Sequence, residues 1–301
     1  MGASCIACDN LATGIGTLAG LDGREYSALK CCDCGLAWAD PLPALTEPCE
    51  SIYDEEFYAP SIGNPTRVAS ERRVVNAMAD FVERIVPRGA FLDVGCGEGI
   101  HMALMRERGW DVCGVEVSRF AAQHARRVHN LEVFHGALAD ANLRPESFAL
   151  VQFRHVIEHL ADPRSALERA AGLLQPGGVM RIDTPAGDFW RSGLGFVLRM
   201  VGNTFPSLSS KSYEPAQIRL SPPMHVFCFT EAALRELVGR CGLTTVKLIR
   251  TYHGDPNHYP DAAPTSLFGR VARALDVVSA KLNLGEVLVL YATRNKAGRP
   301  V

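Results

Sequence analysis

From residue 90 onward, short apolar runs alternate with segments whose apolar residues recur every three or four positions. The runs at 90–94, 111–115, 131–134, 148–153 and 179–182 predict strands, and the segments at 100–108, 118–128 and 163–174 predict helices. Strands that are apolar along their whole length and separated by helices belong to a parallel sheet covered on both faces. The rhythm breaks at 186–224, where six Ser, four Gly, four Pro and a Trp predict a cap over the carboxyl edge of the sheet. It resumes with a helix at 230–241 and strands at 243–249 and 286–293. Between them, 251–284 opens as a Pro- and His-rich loop and closes on an amphipathic helix through Leu267, Val271, Leu275, Val278 and Leu282.

Upstream the pattern is different. Residues 1–40 are turn-rich and dotted with glycine, too short to bury an apolar core of their own, and Asp40-Pro41-Leu42-Pro43 breaks regular structure. A stretch that runs acidic, then aromatic, leads into a helical stripe of Val68, Val75, Met78, Phe81, Val82 and Ile85. The expected organisation is a small module at 1–45, a linker with a lid or helix at 46–85, and a core at 86–301 carrying the two insertions.

Composition narrows the function. With 301 residues, 47% hydrophobic and 21% charged, the chain has ample matter for a large core, which excludes disorder and collagen-like repetition. Thirty-one Lys and Arg against 33 Asp and Glu give a net charge of -2 and no global attraction to phosphate or anionic lipid. The start has no basic and apolar leader, no apolar stretch reaches membrane-spanning length, and Ile6 stands where a myristoylation motif wants Ser or Thr. A cytoplasmic protein is therefore expected. Five of the ten cysteines fall within the first 34 residues, a clustering that in such a protein points to a metal.

The chemistry centres on Asp93-Val94-Gly95-Cys96-Gly97-Glu98-Gly99, a buried strand entering three alternate glycines and then a helix. Glycines there permit positive φ and close ligand approach, and the helix start offers unpaired N–H donors. The second strand ends on Glu116, where a carboxylate can accept from both ribose hydroxyls of an adenosine ligand. Glycine turn and carboxylate together point to a nucleoside cofactor. The spacing departs from the G-x-x-G step of dinucleotide sites, because the third glycine comes one residue early.

The string FLDVGCGEG resembles motif I of the class I S-adenosylmethionine-dependent methyltransferases. The resemblance continues through GVEVS, FHGALADANL, FALVQFRHVIEHLADP, LLQPGGVMRIDTP and HVFCFTEAALRELVGRCGL, covering residues 85 to 250 in order. It implies an α/β, Rossmann-like, seven-stranded methyltransferase sheet and S-adenosylmethionine as cofactor. Carried over, Asp93, Gly95 and Gly97 hold the amino-acid end of the cofactor, with Cys96, Gly99 and Val117 alongside. Glu116 takes the ribose, Ala137 and Leu138 line the adenine, and Arg154 sits near the methyl group. Position 137 is Ala where many relatives place a polar residue toward the adenine amine.

Cys5-x-x-Cys8 and Cys31-x-x-Cys34-Gly35 have the spacing of two knuckles around one tetrahedral zinc, with Cys32 left as a spare thiol. Four thiolates close the coordination sphere, so the zinc is expected to be structural. Some ribosomal-RNA methyltransferases carry such a module to grip RNA, but residues 1–80 hold twelve acidic and five basic side chains. That net of -7 repels phosphates and argues against nucleic acid as partner. Ribbon, DPLP, YDEEFY and motif I in that order resemble the bacterial zinc-ribbon methyltransferases of sugar-nucleotide, polysaccharide and natural-product pathways. That resemblance implies a small polar acceptor such as a sugar or its nucleotide. Two alternatives stand beside it: an RNA methyltransferase, and a cofactor-binding module without transfer activity.

Transfer to a hydroxyl or carbon acid requires one base. His155 lies just past the fourth strand, and His225 sits behind Pro222-Pro223 where the cap returns to the sheet; these two are the catalytic candidates. Glu158 and His159 are expected to cap the following loop and helix. His253 and His258 are expected to be solvated, beside Tyr252 and Tyr259 as a candidate acceptor wall. Tyr53 and Tyr58 are expected to pack the ribbon onto the core, with a lid over the cofactor as the alternative.

Overall fold

The computed structural model describes residues 3–42, 53–59, 62–188, 220–251 and 285–294. Three strands, β1 (Ala12–Ala19), β2 (Glu25–Cys31) and β3 (Ala37–Asp40), precede the helices α1 (Glu55–Tyr58) and α2 (Pro65–Val82). The alternation then runs β4 (Ala90–Val94), α3 (Ile100–Glu107), β5 (Asp111–Glu116), α4 (Arg119–His129), β6 (Glu132–His135), β7 (Phe148–Arg154), α5 (Pro163–Leu173) and β8 (Leu174–Pro185). It closes with β9 (Phe227–Cys228), α6 (Glu231–Arg240), β10 (Leu243–Thr251) and β11 (Val287–Arg294).

Seven strands form one sheet in the order β10-β11-β8-β7-β4-β5-β6. β11 runs antiparallel to both its neighbours, and the pairs from β8 to β6 are parallel. This is the α/β, Rossmann-like methyltransferase arrangement that the sequence resemblance implies. Strand order reverses direction at β4, with β5 and β6 to one side and β7 and β8 to the other. A crevice therefore opens beyond the carboxyl end of β4, the usual place for a ligand in an open α/β sheet. Local chemistry sets the boundaries: Ser118, Asp162 and Thr230 accept backbone N–H groups at the starts of α4, α5 and α6, and Asn130 ends α4 in the left-handed region at φ 49°.

Two elements differ from expectation. β8 begins at Leu174, which pairs with Phe148 before Pro-Gly-Gly, so the strand enters the sheet ahead of its apolar run. Residues 12–40 hold three antiparallel strands rather than turns alone. Their apolar signal is weak because β1 is largely exposed on both faces, while glycines stand at 14 and 16.

The sheet of these strands takes its fourth member from the far end of the cap, in the order β1-β2-β3-β9. Trp38 pairs with Phe227 and Ala37 with Cys228. Cys5, Cys8, Cys31, Cys34, Leu36 and Trp38 share one buried cluster with Phe227, Phe229, Leu234 and Leu237, so the module borrows the core it cannot build. Polar contacts fasten the same face. Arg164 at the start of α5 donates to the Ile6 carbonyl, Arg240 at the end of α6 donates to the Cys8 carbonyl, and both pair with Asp9. The Thr230 hydroxyl donates to the Cys34 carbonyl while accepting from Ala233 N–H.

Most of the 186–224 cap lies outside the described residues. So do the 252–284 insertion with its expected helix, His253, His258, Tyr252 and Tyr259. Among the described residues no helix is long and apolar enough to cross a membrane.

Candidate functional site

The turn after β4 places Gly95, Gly97 and Gly99 at φ 70°, 53° and 86°. A Cβ at Gly95 would meet Val156 at 2.5 Å and one at Gly99 would meet Leu131 at 2.6 Å, so with φ positive at both positions any side chain there is strained. Glu116 ends β5 beside this turn, accepting from Gly97 N–H at 2.7 Å through one oxygen and from Ser118 N–H at 2.8 Å through the other. Each oxygen keeps a lone pair, so two further donors can bind. Burial pushes the Glu116 carboxyl above the ordinary carboxylate range, and the two amide hydrogen bonds oppose that rise.

Asp93, also buried, is pushed up by desolvation against the His101 charge and a 2.8 Å hydrogen bond from Gln152. Gln152 belongs to a polar layer that sequence reasoning missed. Arg181, 1% exposed, donates to Asp183 and to Gln152 Oε1. Glu71 on α2 pairs with His101 at 2.8 Å and Arg154 at 3.2 Å. Arg67 pairs with Glu98 across the glycine turn. The available signal was the polar interruption of apolar strands, Gln152 and Arg154 in one and Arg181 and Asp183 in the next. Arg154 is thereby held by Glu71 and, at 3.8 Å, Asp183. Ala137 and Leu138 follow β6, and the Leu138 carbonyl accepts from Arg169.

The aromatic residues of the linker lie elsewhere than between ribbon and core. Tyr58 stands 3.5 Å from where a Gly97 Cβ would be and stacks on Phe120, and Ser118 Oγ donates to the Tyr53 carbonyl. Tyr58 thus covers the glycine turn, whereas Tyr53 reaches across to His159.

Beyond β7 the structure brings His155, Glu158, His159 and His225 together. His155 sits in the left-handed region at φ 53°, its N–H bonded to the Asp183 carbonyl at 2.8 Å. Such a backbone in a non-glycine residue is a local strain that recurs at functional sites. Glu158 and His159 do not act as caps. Asp162 caps α5, whereas the Glu158 carboxylate is buried and accepts from Thr184 Oγ1 at 3.0 Å. Burial pushes Glu158 up, but His155 at 3.5 Å and the His159 charge outweigh it and hold the carboxyl down at about 2. The His159 and His225 rings lie 4.7 Å apart, and Tyr53 OH reaches to 3.1 Å from His159 Nδ1. The carbonyl of Glu158 accepts from Val226 and Phe227 N–H, which fixes the segment carrying His225.

In the amino-terminal module, Cys5 Sγ lies 3.5 Å from Cys34 Sγ and Cys8 Sγ 3.4 Å from Cys31 Sγ, all four buried and within 4.8 Å of one another. A tetrahedral ion with bonds of about 2.3 Å sets sulfurs about 3.8 Å apart, so the set is compatible with a zinc ribbon. Burial pushes the Cys5 thiol up to about 11, and amide hydrogen bonds from Cys34 and Asp33 bring Cys31 down to about 7 against its own burial. Cys32 is exposed and outside the cluster.

Residues 69–248, well over half the chain, match the family model described as a methyltransferase domain. The chain belongs to that methyltransferase family. The methyltransferase domain is 35% identical over 100 residues to a ubiquinone biosynthesis O-methyltransferase of Idiomarina loihiensis, covering 31% of this chain and 41% of that protein. Against the protein of the same description from Ralstonia nicotianae it is 31% identical over 134 residues, covering 41% and 53%. The match spans about half the length of these curated relatives or less. The crystal structure of protein PH0226 from Pyrococcus horikoshii shares the fold, with TM-score 0.51 at 15% identity, covering 80% of this chain and 99% of that one. The donor of such a domain is S-adenosylmethionine, and the glycine turn and Glu116 lie where the fold opens its crevice.

Proposed function

We propose that this chain transfers a methyl group from S-adenosylmethionine to a hydroxyl of a small polar acceptor, a sugar, sugar nucleotide or natural-product intermediate. The observation that carries it is the presence of two unlike groups of residues beyond the carboxyl ends of β4, β5 and β7. One is a glycine turn with buried acids, and the other is a cluster of histidines around a buried carboxylate.

When bound, the donor supplies an electrophilic methyl on a sulfonium. The residues fit such a ligand: Asp93 and Glu116 are buried carboxyls that a cationic ligand relieves, and Gly97 lets adenosine approach the backbone. Glu116 would accept from the ribose hydroxyls, Cys96, Gly99 and Val117 would flank it, and Ala137 and Leu138 would face the adenine. Arg154, fixed by Glu71 and Asp183, would stand at the acceptor side of the donor.

Methyl transfer to a hydroxyl releases one proton. His155, oriented by Glu158, and His225, oriented by the segment pinned to Glu158, are the groups we assign to take it. The relatives named above are O-methyltransferases, which supports oxygen as the accepting atom.

Zinc held by Cys5, Cys8, Cys31 and Cys34 would have a structural task here. β3 of the ribbon pairs with β9, which begins two residues after His225, so a folded ribbon braces one wall of the acceptor pocket. The acidic amino-terminal region supports a small acceptor over RNA. The test is transfer of labelled methyl from S-adenosylmethionine to panels of sugars, sugar nucleotides, small phenols and bulk RNA. Labelling of a small hydroxyl compound is expected, and labelling of RNA alone would overturn the reading.

A further inference from the structure

We infer that Glu158, His159 and His225 form a site for a divalent transition-metal ion, distinct from the cysteine cluster, at the acceptor end of the cleft. One donor atom from each lies within 4.8 Å of the others. Two come from the loop after β7 and the third from the loop before β9, so the tertiary fold assembles them.

Hydrogen-bond logic fixes what these atoms present. His159 Nδ1 lies 2.8 Å from the Met224 carbonyl, and a carbonyl only accepts. Nδ1 therefore carries the hydrogen, and in the neutral ring Nε2 presents a lone pair. Nε2 lies 3.8 Å from Glu158 Oε1. Oε2 is occupied by the Thr184 hydroxyl at 3.0 Å, which turns Oε1 into the cluster. Glu158 is 1% exposed, and Oε1 makes no hydrogen bond of normal geometry, His155 Nδ1 standing 3.5 Å away. Two lone-pair atoms opposed in a buried place repel each other unless a positive charge, a proton on Nε2 or a metal ion, lies between them, and the third donor from His225 within the same 4.8 Å is what favours the metal.

The donor set selects the ion. Two imidazole nitrogens and one carboxylate oxygen suit zinc, cobalt, nickel, iron or manganese, whereas magnesium and calcium favour oxygen alone. Bonds of about 2.1 Å bring tetrahedral donors to about 3.4 Å, a modest contraction. Three protein donors leave an open position, unlike four thiolates. The outer contacts that orient ligands are present as well, Met224 carbonyl on His159 and Thr184 on Glu158. An ion here would polarise an acceptor oxygen, make His225 a ligand and leave proton removal to His155. That consequence rests on the proposed methyl transfer, but the site itself does not.

Cobalt(II) titration of the full chain, freed of metal by chelator under reducing conditions, separates the two sites. The first equivalent should give the intense sulfur-to-cobalt charge-transfer bands of the cysteine cluster. A second should add only weak ligand-field bands, with hyperfine-shifted exchangeable imidazole N–H signals by NMR. Glu158→Gln and His225→Ala should each bind one equivalent, with the charge-transfer bands and S-adenosylmethionine binding retained. Because His225 is only partly buried, its variant serves if Glu158→Gln fails to fold. Saturation of the wild type at one equivalent with the thiolate signature, or a second equivalent without shifted imidazole signals, would overturn the site; in that case a proton on His159 supplies the charge. None of these readouts needs an acceptor, so they stand or fall separately from the methyl-transfer reading.

Discussion

The proposed donor half of the cleft comes from a nearly continuous piece of chain, the turn at 95–99 and the end of β5. The proposed acceptor half is gathered from Tyr53, residues 155–159, Thr184 and residues 224–225. In the first, backbone does the work: positive φ at three glycines, and amides that orient Glu116. In the second, side chains from distant segments hold one another, and the ribbon holds one of those segments. Donor recognition should therefore survive damage that abolishes acceptor chemistry.

The largest test of that contrast is Cys8→Ser. Structural zinc sites contribute about 10–16 kcal/mol in zinc-finger peptides, so losing one thiolate should release the metal and unfold the ribbon. β3 then leaves β9, and the wall carrying His225 loses its brace. Methyl transfer should be lost, while S-adenosylmethionine still binds nearly as tightly, because among the described residues the hydrogen bonds and ion pair of the glycine turn go to Val115, Glu116 and Arg67 rather than to the ribbon. Metal analysis with calorimetric titration checks both halves. Equal loss of donor binding would show that the halves are not separable.

Smaller, and confined to the acceptor half, are His155→Ala and His225→Ala. A positioned base contributes about 10²–10⁴-fold, and at least one variant should lose turnover by that factor at nearly constant donor affinity. A drop in both donor affinity and turnover would place the affected histidine on the other side of the cleft.

Legibility follows the same division. The sheet, the glycine turn and the position of Glu116 were readable because period and motif are local. The four cysteines were readable because knuckle spacing is local too. The polar layer of Gln152, Arg181 and Asp183 was not, since each looks like an isolated interruption until the strands are set side by side. Glu158 and His159 looked like caps because only the tertiary fold shows Thr184 and Met224 as their partners. The ribbon strands were missed because β1 has no buried face to impose a period of two.

Glu116→Ala acts on the donor half alone. Removing a carboxylate that would accept from two hydroxyls should cost about 1.5–3 kcal/mol, or roughly 10- to 100-fold in S-adenosylmethionine affinity. The cysteine metal should stay bound. Isothermal titration decides it, and unchanged affinity would remove Glu116 from the ribose contact.

The smallest effect is the response to pH, and its sign separates stability from binding. Burial raises the folded-state pKa of Glu116 above the ordinary 4.5, so between these values the native state binds more protons than the unfolded chain. Lowering the pH through that window therefore stabilises the free protein, by at most about 1.4 kcal/mol for every tenfold by which folding tightens the carboxylate's hold on its proton. Donor binding should move the other way, because protonation removes an acceptor that the ribose hydroxyls need and a charge that offsets the sulfonium. Acidification toward the ordinary carboxylate value should thus weaken S-adenosylmethionine binding while the empty domain gains a little stability. Glu116→Gln cannot titrate, so both slopes should flatten in that variant, measured by denaturant unfolding and calorimetry across the range. Parallel slopes in wild type and variant would assign the pH response to Asp93 instead, the other buried carboxyl that desolvation raises at the turn.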